Sequence, residues 1–546
     1  MNDARCGSCG TSIVATAKFC SECGTPLRRA AQSAEYKQVT VLFADVVHSM
    51  VIAAAVGAER LREIMAELVN GCAAVVTGYG GTVGSFTGDG IMAVFGAPAT
   101  LEDHAIRACL AALKIQGEIE SLAADVKQRD GVELKLRVGL NSGRVIAGEI
   151  GSGTFGYTTI GEQVGMAQRM ESAAAPGGIM LSASTARLVD GVALLAEPEM
   201  VQIKGAADAV PARRLLGMGD QHRTVGQSES SLVGRRWEMS TVEGLLTRAI
   251  AHHGGMLGVV GQAGIGKTRL VRDVSAIAAA RGVQVFTTAC ESHASSIPFH
   301  MVARFLREIT GVGDLEGDAA RSHLRAQLTA ADAQDLLLLD DLLGIRNPAV
   351  ELPQIAPDAR RRRLIGMITA ALLARQKPGL FVIEDAHWID EVSESLMVEL
   401  LEAIAQTPSL IVVTYRPEYR GSLARLANFQ QVTLAPLDDS QTNALVTQLL
   451  GDDPSVGGLR ALVAQRAAGN PFFVEEMVRD LSERGVLQGH PGAFQLRGSF
   501  ADAAVPATLQ ATIGARIDRL GATAKKTLNA AAVIGTRFAP NLLGRL

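Results

Sequence analysis

The sequence predicts a multidomain α/β protein, and three patterns support this prediction. Two C-x-x-C pairs stand close to the N-terminus. Two apolar, strand-like segments deliver acidic residues at their ends, Asp45 and Asp89. A glycine-rich segment, Gly261–Thr268, lies between an apolar run and a helical pattern. Because strand and helix patterns alternate and 546 residues allow three or four domains, we assign each pattern to a separate domain.

The N-terminal cysteines predict a structural zinc site within residues 1–30. Two C-x-x-C pairs ten residues apart supply the thiolates of a closed tetrahedral Zn²⁺ site, namely Cys6, Cys9, Cys20 and Cys23. The alternative is a redox or disulfide pair, which needs a thioredoxin-like context that this short segment does not supply. The segment resembles the short zinc ribbons that open many bacterial proteins, and it should fold only with metal.

Two acidic residues indicate a second metal site. Val39–Asp45 is predicted to be a buried strand, and the hairpin signal at 87–90 joins the predicted strands Thr82–Phe86 and Ile91–Phe95. If the first strand lies beside this hairpin, Asp45 and Asp89 meet at one edge of a sheet, where their oxygens suit Mg²⁺. The alternative is that Asp89 is only a turn residue and Asp45 only a helix N-cap.

Residues 36–216 resemble the catalytic domain of class III nucleotidyl cyclases, the adenylate and guanylate cyclases. The motifs occur in the family's order, at Phe43–Ser49, Thr87–Phe95, Arg137–Gly143, Tyr157–Gly161, Ala167–Glu171, Pro176–Ile179 and Val201–Gly205. The resemblance implies a ferredoxin-like α/β fold that acts as a head-to-tail homodimer. It also implies two metal ions, Mg²⁺ or Mn²⁺, in each site.

The same resemblance implies roles for individual residues. Asp45 and Asp89 would hold the metal ions, Arg169 aligns with the family's transition-state arginine, and Lys204 aligns with its phosphate-binding lysine. Thr158 aligns with a purine contact. The presence of these residues predicts that the domain converts ATP to cyclic AMP and pyrophosphate. GTP remains an alternative substrate.

Two positions depart from the family pattern. Ser85 stands where the family has its purine-reading lysine, and Gly165 stands where it has the ribose-orienting asparagine. Losing a charged and a neutral hydrogen bond predicts a rate lowered by roughly 10²- to 10³-fold. Two hypotheses follow. The protein is a weak adenylate cyclase controlled by an ATP-binding switch, or it is a regulator whose degenerate cyclase domain serves dimerisation or nucleotide sensing.

The glycine-rich segment predicts a nucleotide site. It matches G-x-x-x-x-G-K-[ST] in the required strand–loop–helix setting. Its glycines, Gly261, Gly264 and Gly266, let backbone N–H groups close around phosphates at a helix N-terminus. We expect Lys267 to reach the β- and γ-phosphates of ATP, and the Thr268 hydroxyl to bind Mg²⁺.

A second apolar strand, Leu380–Asp385, supports this site because it ends in two acids. Glu384 is predicted to hold the Mg²⁺ through water, and Asp385 to polarise the attacking water. Without the phosphate loop, an ordinary strand-end turn would be the preferred interpretation of the acid pair.

The segments 231–435 and 436–490 resemble the ATPase core and helical lid of signal-transduction NTPases with numerous domains. The resemblance rests on Leu232–Arg235, His387–Asp390, Leu410–Arg416 and Gly469–Pro471, besides the phosphate motifs. It implies that Arg416 is a sensor arginine and that Pro471 lies in a lid turn contacting the nucleotide. It also implies slow, switch-like ATP hydrolysis.

The remaining predictions concern the C-terminus and the setting. Residues 501–546 resemble the start of a winged helix, which indicates a shortened member or a fragment. A net charge of −4 argues against a nucleic-acid-binding or membrane-surface protein. The sequence contains neither a signal peptide nor an uncharged apolar stretch long enough to span a membrane, so we expect a cytoplasmic protein with unidentified protein partners.

Overall fold

The computed structural model describes residues 35–86, 89–149, 157–160, 162–203, 209–219, 232–313, 315–329, 331–426 and 429–497, with isolated positions between 509 and 532. The chain divides into two compact units. The first comprises Met1–Val225 and Gln510–Leu546, and the second comprises Gly226–Leu509. Each unit is described by itself.

The first unit is a layered α/β domain. Its strands are β1 (Glu35–Val46), β2 (Thr82–Phe86), β3 (Gly90–Phe95), β4 (Leu136–Glu149), β5 (Tyr157–Ile160), β6 (Ile179–Ser182), β7 (Ala193–Leu195), β8 (Glu199–Val201) and β9 (Val210–Met218). Its helices are α1 (Ser49–Val56), α2 (Ala58–Gly78), α3 (His104–Asp130), α4 (Glu162–Ala173) and α5 (Ala183–Leu188).

The sheet of this unit has the predicted ferredoxin-like core. The strand order β2-β3-β1-β4 continues through β6, β9 and β7. Strand β1 is antiparallel to both β3 and β4, and helices α1, α2 and α3 form the crossovers. This succession is the β-α-β-β-α-β arrangement. It confirms that the first predicted strand lies beside the hairpin of the second and third.

Apolar spacing explains how the helices attach to the sheet. Ile64, Leu68, Cys72 and Val76 recur at four-residue intervals on α2, and all four are buried. Such spacing gives an apolar stripe on one face of the helix. On the opposite side of the sheet, α4 packs very closely against β4, and this contact positions the acidic site.

The second unit contains a parallel sheet with helices around it. Its strands are β10 (Gly255–Val260), β11 (Gln284–Ala289), β12 (Gly379–Glu384), β13 (Ser409–Tyr415), β14 (Phe429–Thr433), β15 (Leu487–His490) and β16 (Ala493–Leu496). Its helices are α6 (Arg236–Ile250), α7 (Lys267–Ala280), α8 (His300–Ile309), α9 (Gly317–Gln327), α10 (Ala333–Leu342), α11 (Pro357–Leu373), α12 (Glu391–Ile404), α13 (Asp439–Leu450), α14 (Gly457–Ala467) and α15 (Pro471–Glu483).

The order of the parallel strands is β11-β12-β13-β10-β14. It brings the carboxyl ends of β10, β12 and β13 to one edge of the sheet. Strand β10 is buried between β13 and β14. Its continuous apolar sequence fits a strand covered on both faces. In parallel sheets, ligands bind outside the carboxyl ends of the strands, and the predicted phosphate loop and acid pair both lie at this edge.

Helices α13, α14 and α15 and the hairpin β15–β16 form a separate small core. A capping box begins α13, because the Asp438 side chain accepts from the Gln441 N–H while the Gln441 side chain reaches back to the Asp438 backbone. This core corresponds to the segment predicted to be a helical lid.

Some sequence predictions fall outside this description. The zinc-ligand cysteines lie outside the described residues, and so does most of the segment predicted to begin a winged helix. Cys72, Cys109 and Cys290 are buried free thiols. Within the part of the chain described above, no helix has the length and apolar character needed to cross a membrane.

Candidate functional sites

Asp45 and Asp89 converge at one end of the first sheet. The antiparallel register places Asp45 opposite Gly90, next to Asp89. The Val46 N–H donates to the Asp89 carbonyl oxygen at 3.2 Å, which holds the two chain segments together. Helix α1 begins only at Ser49, so Asp45 is not its N-cap. The structure thus brings together the two carboxylates that the sequence analysis paired.

The surroundings of Asp45 fit a bound divalent cation. Burial, followed by the negative charge of Asp89, raises the pKa of Asp45 to about 7. The Asp45 Oδ1 atom is buried and accepts no hydrogen bond from the residues described. Two adjacent carboxylates repel each other, and a cation between them would remove that repulsion. Oxygen donors of this kind suit Mg²⁺ or Mn²⁺.

Three neighbours of the pair were missed by the sequence analysis. The Ser49 hydroxyl donates to Asp89 Oδ2 at 2.6 Å. Glu171 on α4 is buried, and its charge helps to raise the pKa of Asp45. Arg137 lies opposite Asp45 on β4 and interacts electrostatically with Glu171. An acidic residue on the buried face of α4 is the one sequence signal that could have revealed Glu171.

Among the described residues, no hydrogen bond or ion pair joins Arg169 or Ser85 to either aspartate. Arg169 is half-buried on α4 and forms no ion pair with either aspartate among the described side chains. Ser85 is exposed on β2, opposite Met92. An ideal Cβ built at Gly165 meets no atom within 4 Å. Thr158 lies on β5 with its side chain outside the description, and Lys204 lies outside it entirely.

The phosphate loop of the second unit has the predicted strand–loop–helix form. It connects β10 to α7, and both Gly264 and Gly266 adopt positive φ, at 75° and 101°. Such a backbone conformation favours glycine. The Lys267 side chain is buried, and its Nζ donates to the carbonyl oxygens of Gly261 and Gln262 at 3.0 and 3.2 Å. Burial lowers the pKa of Lys267.

The acid pair lies beside this loop. The Thr268 hydroxyl forms a hydrogen bond with the Glu384 carboxylate, and burial raises the pKa of Glu384. Asp385 adopts a left-handed conformation with φ 53°, and its N–H donates to Thr414 Oγ1 at 2.9 Å. The Asp385 carboxylate interacts electrostatically with Lys267. The structure therefore groups the two predicted Mg²⁺ ligands, Thr268 and Glu384, with the predicted water-polarising Asp385.

Arg416 completes the same edge of the sheet. It follows β13 directly and is buried. Its guanidinium lies 5.9 Å from the centroid of the Trp388 ring, and its charge contributes to lowering the pKa of Lys267. The predicted sensor arginine thus lies near the predicted phosphate-binding lysine.

The helical segment after the sheet contacts the phosphate loop directly. Pro471 is the first residue of α15, as its fixed φ favours. Just before it, Asn470 Nδ2 donates to the Ala263 carbonyl oxygen at 3.0 Å, and just after it the Phe472 N–H donates to the Gly264 carbonyl oxygen at 3.2 Å. Sequence reasoning identified the Pro471 turn but not these two bonds.

Arg235 adds a further link that sequence reasoning did not assign. Its Nη2 donates to the carbonyl oxygens of Ile265 in the phosphate loop and Ala435 after β14, at 3.3 and 2.6 Å. One buried guanidinium therefore joins the entry segment, the loop and the start of the helical segment.

Comparison with protein-family models identifies the parts of the chain. The adenylate and guanylate cyclase catalytic domain model matches residues 31–211. The AAA ATPase domain model matches residues 231–413, and a zinc-ribbon domain model matches residues 5–27. A domain of unknown function matches residues 438–488. The chain therefore contains a nucleotidyl cyclase catalytic domain, an AAA ATPase domain and an N-terminal zinc ribbon.

Several curated proteins are similar to this chain. An uncharacterised protein of Rhizobium meliloti is 26% identical over 538 residues, which cover 94% of this chain and 50% of that protein. An adenylate cyclase of Mycobacterium tuberculosis (strain H37Rv) is 30% identical over 171 residues, covering 31% of this chain and 38% of that protein. Adenylate cyclase 1 of Rhizobium meliloti is 25% identical over 191 residues, covering 35% and 28%. The chain spans half or less of the length of these relatives.

Solved cyclase structures are also similar to the first unit. The adenylyl cyclase CyaB from P. aeruginosa is 27% identical, with a TM-score of 0.33, and the match covers 36% of this chain and all (100%) of that one. The guanylyl cyclase Cya2 is 27% identical, with a TM-score of 0.34, covering 35% of this chain and 98% of that one. These TM-scores are low, so the cyclase assignment rests on the family model and the sequence relatives.

Proposed function

We propose that this protein is an adenylate cyclase that converts ATP to cyclic AMP and pyrophosphate, under the control of an ATP-binding switch in its second unit. The observation that supports this proposal most is the convergence of Asp45 and Asp89, with a buried, unpartnered carboxylate oxygen on Asp45. A structural role alone would not favour two repelling carboxylates at a sheet edge. A metal-dependent reaction would favour this arrangement, because the metal ions need both carboxylates as ligands.

Asp45 and Asp89 would hold two divalent ions. When bound, these ions lower the pKa of the ribose 3′-hydroxyl and neutralise charge on the reacting phosphates. Ser49 orients Asp89 through its hydroxyl. Arg169 stabilises the charge that develops on the phosphate in the transition state, and Lys204 binds phosphate oxygens. Ser85 and Thr158 lie at the purine.

The test of this proposal is cyclic nucleotide formation by the full chain. We expect cyclic AMP from ATP with Mn²⁺, and a slower reaction or none with GTP. Asp45→Asn should lower the rate by at least about 10²-fold, because it removes a charged metal ligand. Asp190→Asn, at an exposed position on the same unit, is the matched control and should keep the parent rate. Equal rates for the two variants would contradict the proposed site.

A second candidate function is a regulator in which the cyclase domain is catalytically degenerate. Two observations favour it, since Ser85 is exposed and uncharged and the space beside Gly165 is open. In this case the first unit would bind nucleotide and dimerise without turnover. If the chain binds nucleotide but forms no cyclic product from either ATP or GTP, the regulator hypothesis is preferred.

We further propose that the second unit binds ATP with Mg²⁺ and hydrolyses it slowly. Lys267 would contact the β- and γ-phosphates, Thr268 and Glu384 would hold the metal, and Asp385 would polarise the attacking water. The Asn470 and Phe472 contacts to the loop would report the nucleotide state to the helical segment. Arg416 would sense the γ-phosphate.

Substitutions in this unit separate binding from hydrolysis. Lys267→Ala should abolish ATP binding, because it removes the cation that pairs with the phosphates. Asp385→Asn should bind ATP and lose turnover. Fluorescent ATP titration and phosphate release measure the two properties. Tight ATP binding by Lys267→Ala, with the cyclase site disabled by Asp45→Asn, would contradict the assignment.

For the N-terminus we propose one structural zinc ion held by Cys6, Cys9, Cys20 and Cys23, since four thiolates are the donor set of closed zinc sites. Metal analysis should find zinc in the parent chain and none in Cys20→Ser. Full zinc content in that variant would contradict the ligand set.

A further inference from the structure

A partly open cavity lies in the helical insertion between β11 and β12, remote in sequence from the phosphate loop. Its volume is about 480 Å³, which falls within the range of small-molecule sites. Helices α8, α10 and α11 form most of its wall. The lining is predominantly aliphatic and includes Leu306, Ile309, Leu339, Met367 and Leu372.

Among the described residues that line this cavity, Arg375 is the one cationic side chain, and it lies just after α11. Its guanidinium carbon lies 4.9 Å from the ring centroid of Phe286 and 5.7 Å from that of Phe381. Its Nη2 donates to the neutral Gln284 Oε1 at 2.7 Å. Its Nε is buried and donates to no acceptor in the described part of the chain. Burial lowers the pKa of Arg375.

The acidic residues of the lining do not compensate this charge. Asp332 and Asp335 are both paired with Arg363, whose Nη2 lies 3.2 Å from Asp332 Oδ1 and whose Nε lies 2.5 Å from Asp335 Oδ1. By contrast, Arg375 forms no ion pair within the described ranges. The cavity therefore combines apolar walls with a half-buried positive charge that has no acidic partner among the described residues.

We propose that this cavity binds a small amphiphilic monocarboxylate. Its carboxylate pairs with the Arg375 guanidinium, and its apolar part fills the space between α8, α10 and α11. An anion compensates the guanidinium charge through a charge-assisted hydrogen bond, and an alkyl or aryl body removes apolar wall from water. Nucleotides do not fit this chemistry, because their polar rings and several negative charges would meet aliphatic walls and two aspartates.

The probe is decanoate, titrated calorimetrically into the full chain below its micelle concentration. We expect saturable binding of one decanoate per chain. Decanol has the same chain without the charge and should bind at least about tenfold more weakly. Decylammonium should not bind, since it places a second cation beside Arg375. Absence of decanoate binding, or equal binding of decanoate and decanol, would overturn the proposal.

Variants locate the site. Arg375→Met keeps an apolar side chain of similar length and should weaken decanoate binding about tenfold or more while leaving decanol binding unchanged. Ala371 also lines the cavity. Ala371→Leu should weaken the binding of both ligands, because the larger side chain fills part of the space. Arg362→Met, on the exposed face of the same helix, is the matched control and should change neither. ATP binding by each variant reports that the unit is folded. Undiminished decanoate binding in Arg375→Met would contradict the site even if Ala371→Leu failed to fold.

Discussion

At the scale of single residues, we propose that Ser85 and Gly165 limit the activity of the cyclase domain. Both positions have room for a larger side chain, since Ser85 is exposed and a Cβ at Gly165 meets nothing within 4 Å. Neither residue is held in place by packing. The family's lysine and asparagine are therefore absent for a reason other than space in this fold.

Restoring the purine-reading lysine should increase cyclase activity. Ser85→Lys adds a charged hydrogen-bond donor, worth about 1.5–3 kcal/mol, which corresponds to roughly 10- to 10²-fold in kcat/KM. Initial rates of cyclic AMP formation with Mn²⁺ measure the effect. Ser85→Met, with similar length but no charge, is the control and should give no gain. An equal gain in both variants would mean that packing, rather than purine recognition, limits the reaction.

At the scale of secondary-structure elements, the contact between β4 and α4 positions the acidic site. An ideal Cβ at Gly139 would lie 1.9 Å from the Glu171 backbone nitrogen and 2.4 Å from the Ala167 carbonyl oxygen. Only glycine allows the helix to approach the strand so closely. This approach brings Glu171 to the aspartates and sets the position of Arg169 on the same helix.

Gly139→Ala should therefore displace α4 and lower both stability and cyclase activity. We expect a loss of at least about 1–3 kcal/mol in the free energy of unfolding, typical of overpacking, together with loss of cyclic AMP formation. Gly117→Ala is the matched control on α3, where an added Cβ meets no atom within 4 Å. It should raise stability by about 0.5–1 kcal/mol.

Thermal unfolding and the cyclase assay on both variants decide the point. If Gly139→Ala kept the parent stability and rate, the close packing of α4 would not position the site.

At the scale of the whole molecule, the cyclase site is predicted to be shared between two copies of the chain. Within one chain, Arg169 forms no ion pair with Asp45 or Asp89 among the described residues. The resemblance to class III cyclases implies that the arginine of one subunit serves the aspartates of the other. A symmetric homodimer would then hold two such sites.

Mixing inactive variants tests this arrangement. Asp45→Ala and Arg169→Ala should each be inactive alone, because one removes a metal ligand and the other removes charge stabilisation in the transition state. In a mixed dimer, one site combines both substitutions and the other contains neither. The mixture should regain up to about a quarter of the parent activity if subunits exchange at random.

Recovery should depend on dimer formation, which sedimentation of each variant verifies. Variants that dimerise but recover nothing on mixing, from an active parent, would show that the site lies within one subunit. A parent chain without activity would instead favour the degenerate-sensor hypothesis.

The sequence alone determined much of this architecture. The phosphate loop, the acid pair at 384–385 and the strands carrying Asp45 and Asp89 all follow from local patterns. These features are local because a strand, a tight turn or a glycine-rich loop is encoded by consecutive residues whose backbone preferences do not depend on distant partners.

Only the tertiary structure decided which distant groups meet. It placed Glu171 and Arg137 beside Asp45, linked Asn470 and Arg235 to the phosphate loop, and placed Arg375, which has no ion pair among the described residues, at the wall of an apolar cavity. These contacts join residues far apart in the chain, and a single sequence does not encode their distances. Burial also depends on all the elements packed around a group, so the raised pKa of Asp45 emerges only after the fold is complete.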